Sequence, residues 1–334
     1  FLGDDLTPSG YTSATFDTAN VGTNKTVTVL GITGSGADVG NYTWNTSDTD
    51  LADITAVDAV CTIVGYSDTY DALPHGATGS CTGVEGVLTG LVLGDSFTDV
   101  PGGTANWSFL NQNYNPENGS VPIEILALSL VGSFTADNKV YDSTTDASVL
   151  TRSVTGLGLD DVTLTGGTAT FDTKNVGNDK TVTLTGATLG GVDAGNYSLL
   201  SVDTTTADIT PYTGIIATAT ADDKPYDATT AATALLSFGN VFLGDDLTPS
   251  GYTSATFDTA NVGIDKTVTV LGITGSGADV GNYTWNTSDT DLADITPVDA
   301  VCTIVGYDVT YDATAHTATD HVLGWRERRS RVLI

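Results

Sequence analysis

The feature that most limits what this chain can fold into is its repetition. Residues 1–55 recur as residues 242–296, an offset of 241, with only Thr23 and Asn24 changed, to Ile264 and Asp265. A third, diverged copy lies between them, with Phe171-Asp172-Thr173 answering Phe16-Asp17-Thr18 and Phe257-Asp258-Thr259. Further landmarks recur in order: Asn-Val-Gly at Asn20, Asn175 and Asn261, then Lys-Thr-Val-Thr, then Gly-Asn-Tyr ending at Tyr42, Tyr197 and Tyr283, then Ala-Asp-Ile-Thr. The two full copies open on Lys139-Val140-Tyr141-Asp142 and Lys224-Pro225-Tyr226-Asp227. The unit is therefore a module of about 80 to 86 residues, and a tandem array is expected rather than one large core. Phe1 enters its module some 30 residues late, and the chain contains no Met. Both facts are those of a processed or internal piece of a longer protein.

A segment of another kind interrupts the series. Residues 57–128 carry Cys61, Tyr70-Asp71, His75 and Cys81, and their opening recurs at 298–319 with Cys302 and His316. The position answering Cys81 is Val322, and from Asp320 the similarity stops. The expected organisation is 1–56, the later part of a module; 57–128, the Cys-containing module; 129–211 and 212–296, two full modules; 297–319, the start of a second Cys-containing module; and 320–334, a tail. That tail reads as an out-of-frame or non-native stretch, because the repeat is lost in mid-strand. Pro211 and Pro297 follow closing Ile-Thr strands and mark short linkers, since Pro cannot continue a ladder.

Within the modules the local signal is strand. Lys25-Thr26-Val27-Thr28-Val29 and Lys180-Thr181-Val182-Thr183-Leu184 alternate polar and apolar, so that one face meets a core and the other meets water. Gly-rich punctuation separates these runs, and no stretch has helical periodicity. The expected fold is all-β: a tandem array of small β-sandwich, Ig-like modules, with β-grasp-like as the alternative for the Cys-containing one. With 11 Lys and Arg against 41 Asp and Glu, the formal charge is −30. That balance disfavours nucleic acid, whose phosphates need Lys and Arg, and anionic membrane surfaces. No run of 18 apolar residues is present, so no membrane insertion is expected of this segment.

Lys139-Val140-Tyr141-Asp142-Ser143-Thr144-Thr145, followed by Leu159-Asp160-Asp161-Val162 and Asp193-Ala194-Gly195-Asn196-Tyr197, resembles the YDG repeat of large bacterial surface proteins. The Cys-containing segment resembles the MBG-type modules that alternate with such repeats in filamentous-haemagglutinin-like adhesins. The residue after Tyr-Asp is Ser143 or Ala228 in place of Gly, which puts a positive-φ turn there in question. The resemblance implies a secreted, cell-surface stalk of β-modules that projects a binding region located elsewhere, with no catalytic residues. A second reading has the modules themselves bind a host glycan or matrix protein. In such an extracellular chain Cys61 and Cys81 are expected to form a disulfide, the competing reading being two reduced buried thiols. Cys302 would then be an orphan thiol.

Chemistry beyond that is sparse. Zinc needs four ligands and only His75 stands near the cysteines. Calcium could draw on Asp4 and Asp5, repeated at Asp160-Asp161 and Asp245-Asp246, and on Asp48 and Asp50. Against it stands the reading of these residues as solvated surface and turn positions, and no loop of alternating Asp closed by Gly and Glu occurs. No nucleophile elbow, metalloprotease helix or phosphate loop is present, so no enzyme is expected. Tyr42, Tyr197, Tyr283, Trp44 and Trp285 could form a sugar-stacking face, but their place in a recurring strand motif favours core packing.

Overall fold

The structure is a computed structural model, and it describes residues 2–306, 308–317 and 319–323. The protein is all-β. Among the described residues the helical elements are three single 3₁₀ turns, Val39–Asn41, Ala194–Asn196 and Val280–Asn282. No helix is long and apolar enough to cross a membrane. Two compact units are formed. The first comprises Phe1–Gly132, Ser153–Thr165 and Thr188–Ser201; the second comprises Ser133–Arg152, Gly166–Ala187 and the chain from Val202 onward.

In the second unit the segment 212–296 shows how the repeat folds. Gly263–Leu271 lies between Ser254–Phe257 and Ser288–Thr296, with Lys224–Pro225 added at the far edge. Facing it is a sheet of Ala234–Gly239, Tyr212–Ala221 and Tyr283–Trp285. Alternation decides which side chains meet. Phe257, Val268, Val270 and Ile295 point inward from one sheet and Ala217 and Ala219 from the other, making one dry cluster in which none exceeds 5% exposure. The expected strand pattern holds equally at Val182 and Leu184, both buried.

In the first unit, Ser13–Phe16, Gly22–Leu30 and Ser47–Ile54 form the corresponding three-stranded antiparallel sheet, with Phe16 opposite Val27 and Val27 opposite Asp50. The Cys-containing segment builds two sheets. Val60–Val64 pairs with Thr78–Gly83, while Gly102–Phe109, Glu117–Leu126 and Tyr66–Thr69 lie side by side, the last parallel to its neighbour. The first of these pairings sets Cys61 directly opposite Cys81, and the two are joined as a disulfide. Val301–Val305 pairs with Thr319–Leu323 in the same register, which places the free thiol Cys302 opposite Val322. Most of the tail 320–334 lies outside the described residues.

One expectation is overturned. The residues after Tyr-Asp do adopt positive φ without glycine: Ala72 at 65°, Ser143 at 66°, Ala228 at 59° and Ala313 at 62°. The preceding aspartate supplies the reason. Oδ1 of Asp71, Asp142, Asp227 and Asp312 accepts the N–H two residues on, at 2.9 to 3.0 Å, and this side-chain turn holds the left-handed residue in place.

Candidate functional site

The densest polar chemistry sits where one repeat meets the next, and it is built from residues far apart in sequence. In the second unit the loop at 242–247 brings Asp245 beneath the end of the strand that starts at Tyr283. The Asp245 side chain is 1% exposed. Burial of a carboxylate demands donors, and four arrive. Tyr141 Oη donates at 2.7 Å and Ser143 Oγ at 3.0 Å, while Tyr283 Oη and the Lys174 ammonium make still closer contacts. Lys174 also pairs with Asp279 at 3.3 Å. The rings of Tyr141 and Tyr283 meet edge to face at 5.3 Å, and Phe242 stacks at a tilt on Tyr212 at 4.8 Å, so the ion pair is walled by aromatic carbon.

The electrostatics follow from this cage. Burial pulls the Asp245 carboxyl upward, but the bonds from Lys174, Tyr283, Tyr141 and Ser143 outweigh it and hold the group down at about 2. The Asp245 bond holds the Lys174 ammonium above its usual range, against desolvation. Burial first, then the bond to Asp245, pushes the Tyr283 phenol up. A carboxylate saturated in this way is a fixed charge that holds its four donors together.

The same arrangement recurs in the first unit with different partners. Asp160 accepts from Tyr197 Oη and, at 2.9 Å, from Tyr70 Oη of the Cys-containing segment. Tyr70 and Tyr197 meet edge to face at 5.4 Å, and burial followed by Asp160 pushes the Tyr70 phenol up. Tyr70 and Tyr141 both head a Tyr-Asp turn, so one motif docks on the Asp-Asp loop of the segment that follows it, in two different sequence contexts. Asp4 accepts from Tyr42 in the first copy.

Three asparagines clamp neighbouring loops, two of them next to the tyrosines that hold Asp160 and Asp245. Asn282 Oδ1 accepts the Val176 N–H at 2.9 Å while its Nδ2 donates to Asn175 Oδ1 at 3.1 Å. Asn196 does the same to Val100 N–H and Asp99, at 2.9 and 3.0 Å, and Asn113 to Val21 N–H and Asn20, at 3.0 and 3.2 Å. Because a backbone N–H can only donate, the orientation of each amide is determined. Asn196 and Asn282, each followed by Tyr and then Ser or Thr, are 5% and 4% exposed, so both are closed to glycosylation.

The structure therefore brings together only some of the acidic residues singled out by sequence. Asp5, Asp161 and Asp246 are not with Asp4, Asp160 and Asp245 at a shared centre. Each lends its carboxylate to a neighbouring loop N–H, as Asp246 does to Ala278 at 3.0 Å, and donates its own N–H to the carboxylate of Asp38, Asp193 or Asp279. Asp48 and Asp50 accept from the next residue's N–H, 2.9 and 2.8 Å away. Among the described residues no three His, Cys, Asp or Glu side chains converge where a metal could be held. Sequence reading missed Tyr141, Lys174 and the asparagine clamp. The signal was present in the constant separation of about 38 residues between Asp-Asp and Asn-Tyr in every copy.

Each of the three segments that carries this Asp-Asp and Asn-Tyr pair is matched by one family model, described as the YDG domain, over residues 1–50, 127–207 and 210–291. No curated protein matches the chain. With three separate matches to that model together covering more than half of its length, and the same carboxylate–tyrosine pairing in each matched segment, the chain belongs to the YDG-domain family.

Proposed function

We propose that this chain is part of the structural repeat region of a secreted bacterial surface protein of adhesin type. Its modules are small Ig-like β-sandwiches, the disulfide-bearing segment 57–128 being of the MBG type, and they carry a binding region located elsewhere in the protein. The observation that supports this reading is the joint itself. Tyr70 on Asp160 and Tyr141 on Asp245 are one contact used twice, in the same polarity along the chain. Flexible linkers need no buried charge at their ends. A chain that desolvates a carboxylate and supplies all its donors at successive joints restricts the angle between neighbours. The Cys61–Cys81 disulfide suits an oxidising exterior, and a charge of −30 keeps neighbouring copies apart.

Small-angle scattering of the full chain tests it. A stalk gives an extended particle whose distance distribution broadens when Asp160 and Asp245 are both replaced by Ala. A compact globule, insensitive to those replacements, rejects the reading.

A further inference from the structure

The asparagine clamp is the same at three successive joints, but what stands around it is not. Asn113, Asn196 and Asn282 each accept the N–H of a valine, at Val21, Val100 and Val176. Two residues before those valines come Ala19, Thr98 and Lys174. The residue after Tyr-Asp is Ala72 ahead of the second joint and Ser143 ahead of the third. Ser143 and Lys174 therefore lie on one face of the module 129–211, and both donate to Asp245. The Lys174 ammonium also reaches Asp279 at 3.3 Å and lies 5.9 Å from the centre of the Tyr141 ring.

The surface opposite changes in step. Asp279 N–H donates to the Asp246 carbonyl at 3.1 Å, and in the Cys-containing segment Leu110 N–H donates to the Gly90 carbonyl at 3.0 Å. The two backbones match, so Leu110 stands where Asp279 does and Thr89 where Asp245 does. Tyr114, which answers Tyr283, turns to Glu85. The Cys-containing segment thus offers its clamp with no paired aspartates beside it, and the face it meets carries Ala19. At the second joint the pair is present as Asp160 and Asp193, while Thr98 and Ala72 bring no charge, and Asp160 is held by the phenols of Tyr70 and Tyr197. An ammonium set against Thr89 and Leu110 gains nothing for the water it sheds. Against Asp245 and Asp279, whose side chains are 1% and 14% exposed, it finds two desolvated acceptors. The remaining copy agrees: Ala228 and Ala260 hold the places of Ser143 and Lys174, and the opening of the Cys-containing type follows at 298–319.

We propose that Ser143 and Lys174 form a selecting face, which directs the module 129–211 to a successor presenting paired aspartates and disfavours one presenting the Thr89 and Leu110 surface. The asparagine clamp holds either type of successor; the lysine and serine decide which type is held more firmly. This inference does not depend on the stalk reading.

The test follows hydrogen exchange of the two clamped amides, Val176 and Val21, in variants of the full chain, because each amide is released when its own joint opens. Lys174→Ala should speed exchange at Val176 by about tenfold or more in the unmodified chain. In a chain that carries Asp245→Thr and Asp279→Leu, the same change should alter it by less than about twofold. The first joint supplies the converse with exposed residues only, so that folding is not at stake. Ala19→Lys alone should leave Val21 no better protected, whereas with Thr89→Asp and Leu110→Asp also present it should slow exchange there by about threefold or more. An effect of Lys174→Ala that is absent from the unmodified chain, or equal in both backgrounds, overturns the proposal. So does an Ala19→Lys effect that is the same with and without the two added aspartates.

Discussion

Tyr141 and Asp245 are 104 residues apart in the chain, and the phenol of one donates to the carboxylate of the other at 2.7 Å with no route to water around the acceptor. Tyr141 is itself 1% exposed. That pair makes the joint a cooperative element, because neither group can be solvated unless both repeats separate. Replacing Asp245 with Ala strands Tyr141, Tyr283 and Ser143 without their acceptor and leaves Lys174 with Asp279 alone. The expected loss is about 3 kcal/mol, measured by urea denaturation, and a double-mutant cycle with Tyr141→Phe should return a coupling of about 1 kcal/mol or more. Additive losses would mean that the phenol and carboxylate act separately.

Acid should open this joint in a defined window. The Asp245 carboxyl sits at about 2 when folded, against an ordinary value of 3.8. Folding therefore favours its charged form. The stability it contributes is present above about pH 4, and is lost as pH falls from there through about pH 2. The amount is about 2 kcal/mol. Asp17, Asp172 and Asp258, each held down first by a hydrogen bond from a lysine (Lys25, Lys180 and Lys266), lose their bonds over the acid range too. The difference between the unmodified chain and Asp245→Asn, measured from pH 6 to pH 2, isolates the joint. A difference that stays constant over that range would contradict the assignment.

The left-handed residues after Tyr-Asp predict opposite outcomes for one chemical change. Ala228 at φ 59° makes no side-chain hydrogen bond, so Ala228→Gly relieves strain and should stabilise by up to about 1 kcal/mol. Ser143 has a similar φ, but its hydroxyl donates to Asp245. Ser143→Gly gains the same relief and loses a bond to a buried charge, so it should be neutral or destabilising. Melting temperatures of the two variants, side by side, decide the matter.

How far these features can be read in advance differs by residue. Val182 and Leu184 alternate with Lys180, Thr181 and Thr183, and their burial follows from the pattern alone. Val27 and Val268 occupy the same place in the same sequence, yet only Val268 is fully buried, because Tyr212–Ala221 and Ala234–Gly239, strands of its own module, pack over it. The Asp245 cage was invisible for a related reason. Its donors come from three separate segments, and an Asp-Asp pair on a Gly-rich loop looks like any solvated turn. The expectation about the turn at Ser143 failed because glycine is only one way to hold positive φ. A preceding aspartate that accepts the N–H two residues on is another, and it is written in the same Tyr-Asp motif.

The disulfide should act locally. Cys61 and Cys81 face each other across adjacent strands and close a loop with a sequence separation of 20, and Cys81 is fully buried against Ala59, Phe109 and Tyr114. Opening such a loop costs about 3 kcal/mol, largely by freeing the unfolded chain. That is a large share of what a segment of this size can hold. The first unit contains the bond and the second does not, so reduction should split the melting curve, lowering the transition of the first and leaving that of the second in place. Cys302 is exposed and could attack the bond by exchange, so the measurement uses a Cys302→Ser chain with and without a phosphine reductant. Tryptophan emission reports the first unit through Trp107, which packs against the Cys81 cluster. A single transition that shifts as a whole on reduction would show that the two units melt together.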